Sequence, residues 1–217
     1  MGKYWGSIRR RIFGISITSS EISFIIPPFH ITKERLFIPR HPERPHLTSS
    51  TDAPHTVIST PLGPIGMLIC WDLAFPEAFR ELIAGGAKII IIPTFWTLSD
   101  CSPYGLSKNP RAEALFLEAT LTARAFENTC AVVFVNAGGA PGSKDSSYAG
   151  LSRVAVPFVG ALGDETKDTH EEGMSIVELD MRMVEEAERQ YKVREDMAGE
   201  DWHYEYRHGR PDRGAKL

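Results

Sequence analysis

Cys70 closes the apolar stretch Gly66-Met67-Leu68-Ile69 and is followed at once by Trp71-Asp72-Leu73-Ala74-Phe75-Pro76-Glu77, so a thiol stands where a strand gives way to a helix. A strand end holds such a group rigidly, and the N–H groups and dipole of the following helix favour the reactive thiolate. Pro76 suits a first helical turn and Glu77 is an anion well placed early in a helix. The bland alternative is a small buried hydrophobe, the commonest fate of a cysteine. The other thiols, Cys101 and Cys130, make three cysteines without Cys-x-x-Cys spacing. That pattern indicates neither a disulfide framework nor a zinc site and fits a reducing compartment.

Other residues invite chemistry less directly. His41 and His46 flank Glu43, but Pro42 and Pro45 prevent a shared helical face and no fourth ligand is evident, so no metal is expected there. Phe95 and Trp96, just after a strand, either line a substrate pocket or pack as core aromatics, and the pocket is favoured. Arg124 and Glu127 are spaced to pair on a helix. No Gly-x-Gly-x-x-Gly or phosphate loop supports a nucleotide, and no cofactor is expected.

The 217 residues, 42% hydrophobic and 24% charged, fit one ordinary globular domain. Net charge is −4, with 8 Lys/Arg against 4 Asp/Glu in residues 1–60 and 9 against 16 in residues 164–217. Neither part is basic enough for nucleic acid, and Arg9-Arg10-Arg11 lacks interleaved stacking aromatics. No apolar run approaches the roughly 20 residues of a membrane span. The first 20 residues carry Arg, Ser and Ile with no acid, as mitochondrial presequences do, although the cytoplasm is the expected compartment. Met1-Gly2-Lys3-Tyr4-Trp5-Gly6 lacks the Ser/Thr of a myristoylation signal.

The elements that must position these residues alternate from residue 55 onward. Residues 55–59 read as a strand, and 61–64 as a turn into the strand that ends at Cys70. Residues 76–84 read as a helix with Phe79, Leu82 and Ile83 inward and Gly85-Gly86 as its stop. Lys88-Ile89-Ile90-Ile91-Ile92-Pro93 suits a strand buried on both faces. A longer helix spans 111–127, with Leu115, Leu117, Leu121, Ala125 and Phe126 as core candidates, and residues 131–135 form the next buried strand. Strands follow at 152–157 and 174–179, then a charged helix at about 181–190. Beyond Tyr191 the sequence reads as a polar tail, wrapping a partner or staying mobile. Residues 7–26 alternate only weakly, and Pro39, Pro42, Pro45 and Pro54 force irregular chain.

The Cys70 segment, with Arg80 and Gly85-Gly86-Ala87, resembles the nucleophile segment of the nitrilase-like carbon-nitrogen hydrolases. Pro93-Thr94-Phe95-Trp96, Arg124-Ala125-Phe126-Glu127-Asn128, Asn136-Ala137-Gly138-Gly139, Tyr148-Ala149-Gly150-Leu151-Ser152-Arg153 and Glu172-Gly173 follow in the family's order. The resemblance implies a four-layer α-β-β-α sandwich and a Cys-Lys-Glu site without metal or organic cofactor. The thiolate would attack a small amide, carbamoyl compound or nitrile, and the Trp71 N–H and a lysine would meet the negative charge of the intermediate. Lys33, in Lys33-Glu34-Arg35-Leu36-Phe37 and 37 residues before Cys70, resembles the family's lysine; Glu43 looks like its second acidic residue. Ile38-Pro39-Arg40 reads as an insertion between them. A surface role for Lys33 is the alternative.

One departure stands out. The family's general-base glutamate precedes the lysine by many tens of residues, whereas 32 residues precede Lys33 here and Glu21 is their sole acid. The expectation is therefore an amino-terminally truncated, incomplete sandwich: an atypical segment 1–32, a partial hydrolase domain 33–195, and a charged tail 196–217. Uncovered sheet edges would favour a homo-oligomer. Three functions compete: a carbon-nitrogen hydrolase working through a cysteine thioester, a catalytically inactive homologue serving as a binding or assembly subunit, and a different thiol hydrolase with a histidine base. The last ranks behind the others because no histidine lies in a partner motif.

Overall fold

Two β-branched, apolar runs form the centre of the sheet. Ile89–Thr94 (β5) and Ala131–Asn136 (β6) pair in parallel from Ile89↔Ala131 to Thr94↔Asn136. Parallel strands need covered faces, and the long connections between them supply the cover. The computed structural model describes residues 10–17, 22–24, 54–139, 147–162 and 173–204. Their strands are Arg10–Ile17 (β1), Ile22–Phe24 (β2), Ile58–Thr60 (β3), Gly63–Met67 (β4), β5, β6, Arg153–Val156 (β7), Gly160–Leu162 (β8) and Met174–Asp180 (β9). The helices are Pro76–Ala84 (α1), Pro103–Lys108 (α2), Ala112–Glu127 (α3), Arg182–Tyr191 (α4) and Val193–Met197 (α5).

The larger sheet runs β3-β4-β5-β6-β7-β8, parallel from β4 to β6 and antiparallel at both flanks. A second sheet runs β2-β1-β9, with β1 antiparallel to β9 from Arg10↔Asp180 to Ser16↔Met174. Because side chains alternate along a strand, the isoleucines of β5 divide between two cores. Ile90 and Ile92 join Leu68, Phe79, Leu82 and Leu117 under the helices, whereas Ile89 and Ile91 join Val133, Val135, Leu179 and Val184 on the other face. Each fully buried isoleucine contributes about 1.5–3 kcal/mol. The result is the α/β sandwich expected from the sequence, a mixed sheet with helices on one face and β9 and α4 on the other. Met174 and Ile176 point outward from β9, 60% and 66% exposed.

Pro76 starts α1, and Gly86 at φ +92° follows its capping Gly85, as the sequence indicates. Gly66 permits α1 to sit tightly on β4: a Cβ there would lie 2.8 Å from the Leu82 methyls. In α3 the buried stripe is Ala114, Leu117, Leu121 and Ala125. Leu115 is corrected from core to surface, 59% exposed, because it lies one position off that stripe. Phe126 is half-buried, its ring 6.1 Å from Phe158 and 6.5 Å from Tyr191.

The chain after Tyr191 also differs from expectation, because residues 193–197 form α5 and are packed. Arg194 accounts for it. Its guanidinium donates to Ala87 O at 2.8 Å, Thr129 Oγ1 at 2.8 Å and Glu188 Oε2 at 2.7 Å, while Met197 packs against the helical core. Among the described residues no helix is long and apolar enough to cross a membrane.

Candidate active site

Cys70, Phe95-Trp96 and Asn136 lie at or just beyond the carboxyl ends of the parallel strands β4, β5 and β6. Open α/β sheets place their sites there. Cys70 opens a 3-10 turn, Cys70–Ala74, and adopts φ +51°. A side chain in the left-handed region is strained by about 1–2 kcal/mol, so its surroundings must hold it.

Two anchors do so. The buried Asp72 carboxylate accepts the Ile69 N–H at 2.9 Å while Asp72 N–H donates to Ile69 O at 3.0 Å, closing the turn on itself. From the other side Arg124 donates to Leu73 O at 3.2 Å and Ala74 O at 3.3 Å, the carbonyls that end the turn. Its remaining arm pairs with Glu127 at 2.7 Å, and its guanidinium lies 5.4 Å from the Phe79 ring centre. The Arg124–Glu127 pair expected from the sequence is present, and Arg124 ties the Cys70–Ala74 turn to α3.

Trp71, next to the thiol, is half-buried, with its ring 5.3 Å from Trp96 and 6.0 Å from Phe116. Trp96 is 1% exposed and belongs to the helical core, while Phe95 is 64% exposed and meets Tyr148 edge-on at 5.9 Å. Asn136 fixes the surrounding chain. Its amide accepts the N–H of Trp96 at 2.8 Å and donates to Trp96 O at 3.0 Å and Gly150 O at 2.9 Å. Leu98 N–H to Ser147 O at 2.7 Å and Ala149 N–H to Trp96 O at 3.1 Å stitch the same loops together.

The thiols differ in setting. Cys70 and Cys101 are half-buried, whereas Cys130 is fully buried. Burial pushes the Cys130 thiol up to about 12, with Arg194 opposing, Glu127 adding to the rise and Arg80 opposing. Cys70, Trp71 and Trp96 are thus brought into one cluster, Phe95 is exposed and meets Tyr148, and Lys33 and Glu43 lie outside the described residues. The roles of Asp72 and Asn136 went unseen in the sequence. Asp72 at the third position of the Cys70 turn and Asn136 at a strand end were the available signals.

The family model for carbon-nitrogen hydrolase matches residues 30–189. The chain belongs to that family. It is 36% identical over 93 residues to "Hydrolase in pqqF 5'region" of Pseudomonas protegens, covering 43% of this chain and 27% of that protein. It is 33% identical to an (R)-stereoselective amidase of a Pseudomonas species, covering 61% and 42%, and 30% identical to the deaminated glutathione amidase of Bos taurus, covering 71% and 39%. The chain therefore spans less than half the length of these curated relatives. Among solved structures, the carbon-nitrogen hydrolase of Helicobacter pylori shares the fold at TM-score 0.61 and 24% identity, covering 75% of this chain and 56% of its own. The NitFhit protein of C. elegans matches at TM-score 0.52 and 28% identity, covering 73% and 36%.

Proposed function

We propose that Cys70 is the nucleophile of a hydrolase that opens a non-peptide carbon-nitrogen bond in a small amide, carbamoyl compound or nitrile. The observation that carries this reading is the half-buried Cys70 at φ +51°, at the end of a parallel strand with the Trp71 N–H beside it. The amidase names of two relatives support an amide as substrate. For an amide, Sγ attacks the carbonyl carbon and the oxygen takes the negative charge. The Trp71 N–H, with Lys33 as a cation, meets that charge, a type of preorganised donation that contributes about 3–4 kcal/mol. Collapse expels the amine, which takes a proton, and leaves a thioester; water then attacks the thioester and frees the acid and the thiol. Glu43 is assigned to the proton transfers. Phe95 supplies an aromatic wall for the substrate, backed by Trp96.

A second reading, a catalytically inactive homologue that binds or assembles, competes with it. Ammonia release over ω-amides, carbamoyl amino acids and nitriles separates them. The first reading expects release that Cys70→Ala lowers by about a thousandfold or more and that Glu43→Gln strongly reduces. Release that survives Cys70→Ala sinks the nucleophile assignment. Absence of release from the 217-residue chain, restored by adding an amino-terminal segment that carries a glutamate, places the base outside Glu43.

A further inference from the structure

Trp96 is almost wholly buried, so its indole N–H must find an acceptor inside the protein. It donates to Glu113 Oε2 at 2.6 Å, a short charge-assisted bond to a carboxylate in the first turn of α3. Trp96, Trp71 and Phe116 form a closed triangle of rings, with centres 5.3, 5.7 and 6.0 Å apart. The backbone of Trp96 is separately pinned by Asn136, and its ring is held at the indole N–H by Glu113 and against its neighbours by Trp71 and Phe116.

We propose that Glu113 is a positioning residue for the nucleophile turn: its carboxylate fixes the Trp96 indole, Trp96 fixes the Trp71 ring, and that ring sets the direction of the Trp71 backbone N–H beside Cys70. The turn needs such support because Cys70 holds a left-handed conformation that packing must maintain. Without the acceptor, the buried indole N–H turns to find another partner. The Trp71 ring follows, and the backbone N–H leaves the line on which it meets developing charge. The inference rests on Cys70 as nucleophile for its catalytic meaning, but the ring linkage can be read without catalysis.

The experiment compares the full chain with Glu113→Gln, which keeps an acceptor oxygen and loses the charge, and Glu113→Leu, which loses the acceptor. Three readouts are taken: the pH profile of Cys70 alkylation by iodoacetamide, kcat and KM for ammonia release from the best amide, and the ¹⁵N indole resonances of Trp71 and Trp96. Glu113→Leu is expected to shift both indole resonances and to lower kcat about tenfold or more with KM little changed, the mark of a contact that matters in the transition state. Glu113→Gln should stay within about threefold of the parent, because hydrogen-bond acceptance is retained. If Glu113→Leu does not fold, Glu113→Asp, which shortens the reach, is expected to shift both resonances in its place. An unmoved Trp71 resonance in Glu113→Leu or Glu113→Asp overturns the linkage, as does a Glu113→Gln variant no better than Glu113→Leu. Should Cys70 prove inert in the parent chain, the nucleophile reading fails, and the Trp71 resonance alone decides the linkage.

Discussion

The three thiols of this chain share a side chain and differ in what surrounds it. Cys130 lies at 0% exposure in the helical core, with its pKa raised to about 12, so almost none of it is thiolate near neutral pH. Cys70 is half-buried at the start of the 3-10 turn Cys70–Ala74. Iodoacetamide labelling of the native protein, read by mass spectrometry, should therefore modify Cys70 first and leave Cys130 untouched until the chain is unfolded. Cys130 modified before Cys70 would remove the main support for the nucleophile. The Cys-Trp-Asp sequence made this thiol legible, because a turn of that kind announces itself in adjacent residues. The supports of the turn did not announce themselves. Arg124 acts on Leu73 and Ala74 carbonyls 51 and 50 residues away, and a backbone carbonyl has no signature in sequence. Glu113 meets the Trp96 indole across 17 residues, a pairing that the fold and not local spacing creates.

Among the elements, those with a strong apolar period were legible. The Ile89–Thr94 and Ala131–Asn136 strands and the α1 and α3 helices matched their patterns, because burial on one or two faces writes itself into spacing. The short β8 and α2, three and six residues long, carry too few residues to show a period. Segment 193–197 was hidden for another reason, since Arg194 and Glu188 hold it by polar contacts. Partial burial alone would raise the Glu188 carboxyl. The Thr129 hydroxyl at 2.5 Å, the Arg194 N–H at 2.8 Å and the Arg194 guanidinium outweigh it and hold the group below its ordinary value of 4.5. A depressed folded value means stability that is fully present above 4.5 and is lost as pH falls through the folded value. Glu188→Gln should thus cost about 1–2 kcal/mol at neutral pH, allowing for partial exposure. The gap from the parent should close on acidification below 4.5. Denaturant melts across that range check it, and a gap that stays constant with pH would mean that the charge contributes nothing.

At the scale of the whole molecule, the second sheet is the thin part. Met174 and Ile176 are exposed on its outer face, and β9 keeps a paired edge through β1, which runs antiparallel to it from Arg10↔Asp180 to Ser16↔Met174. An uncovered strand with apolar residues is a template for further pairing. Residues 10–17, within the segment 1–24, therefore contribute to the fold through their backbone pairing with β9. Deleting residues 1–24 should expose the β9 edge while leaving the β4-β5-β6 centre intact, since that centre is closed by its own helices and by Leu179 from the inner face of β9. Hydrogen exchange is expected to quicken at residues 174–180 far more than at 89–94, and light scattering should report larger particles at equal concentration. Equal protection of 174–180 with and without residues 1–24 would show that β1 adds nothing to that edge. Rapid exchange throughout 89–94 would show that the two sheets unfold as one unit, making β1 a requirement for the Cys70 turn itself.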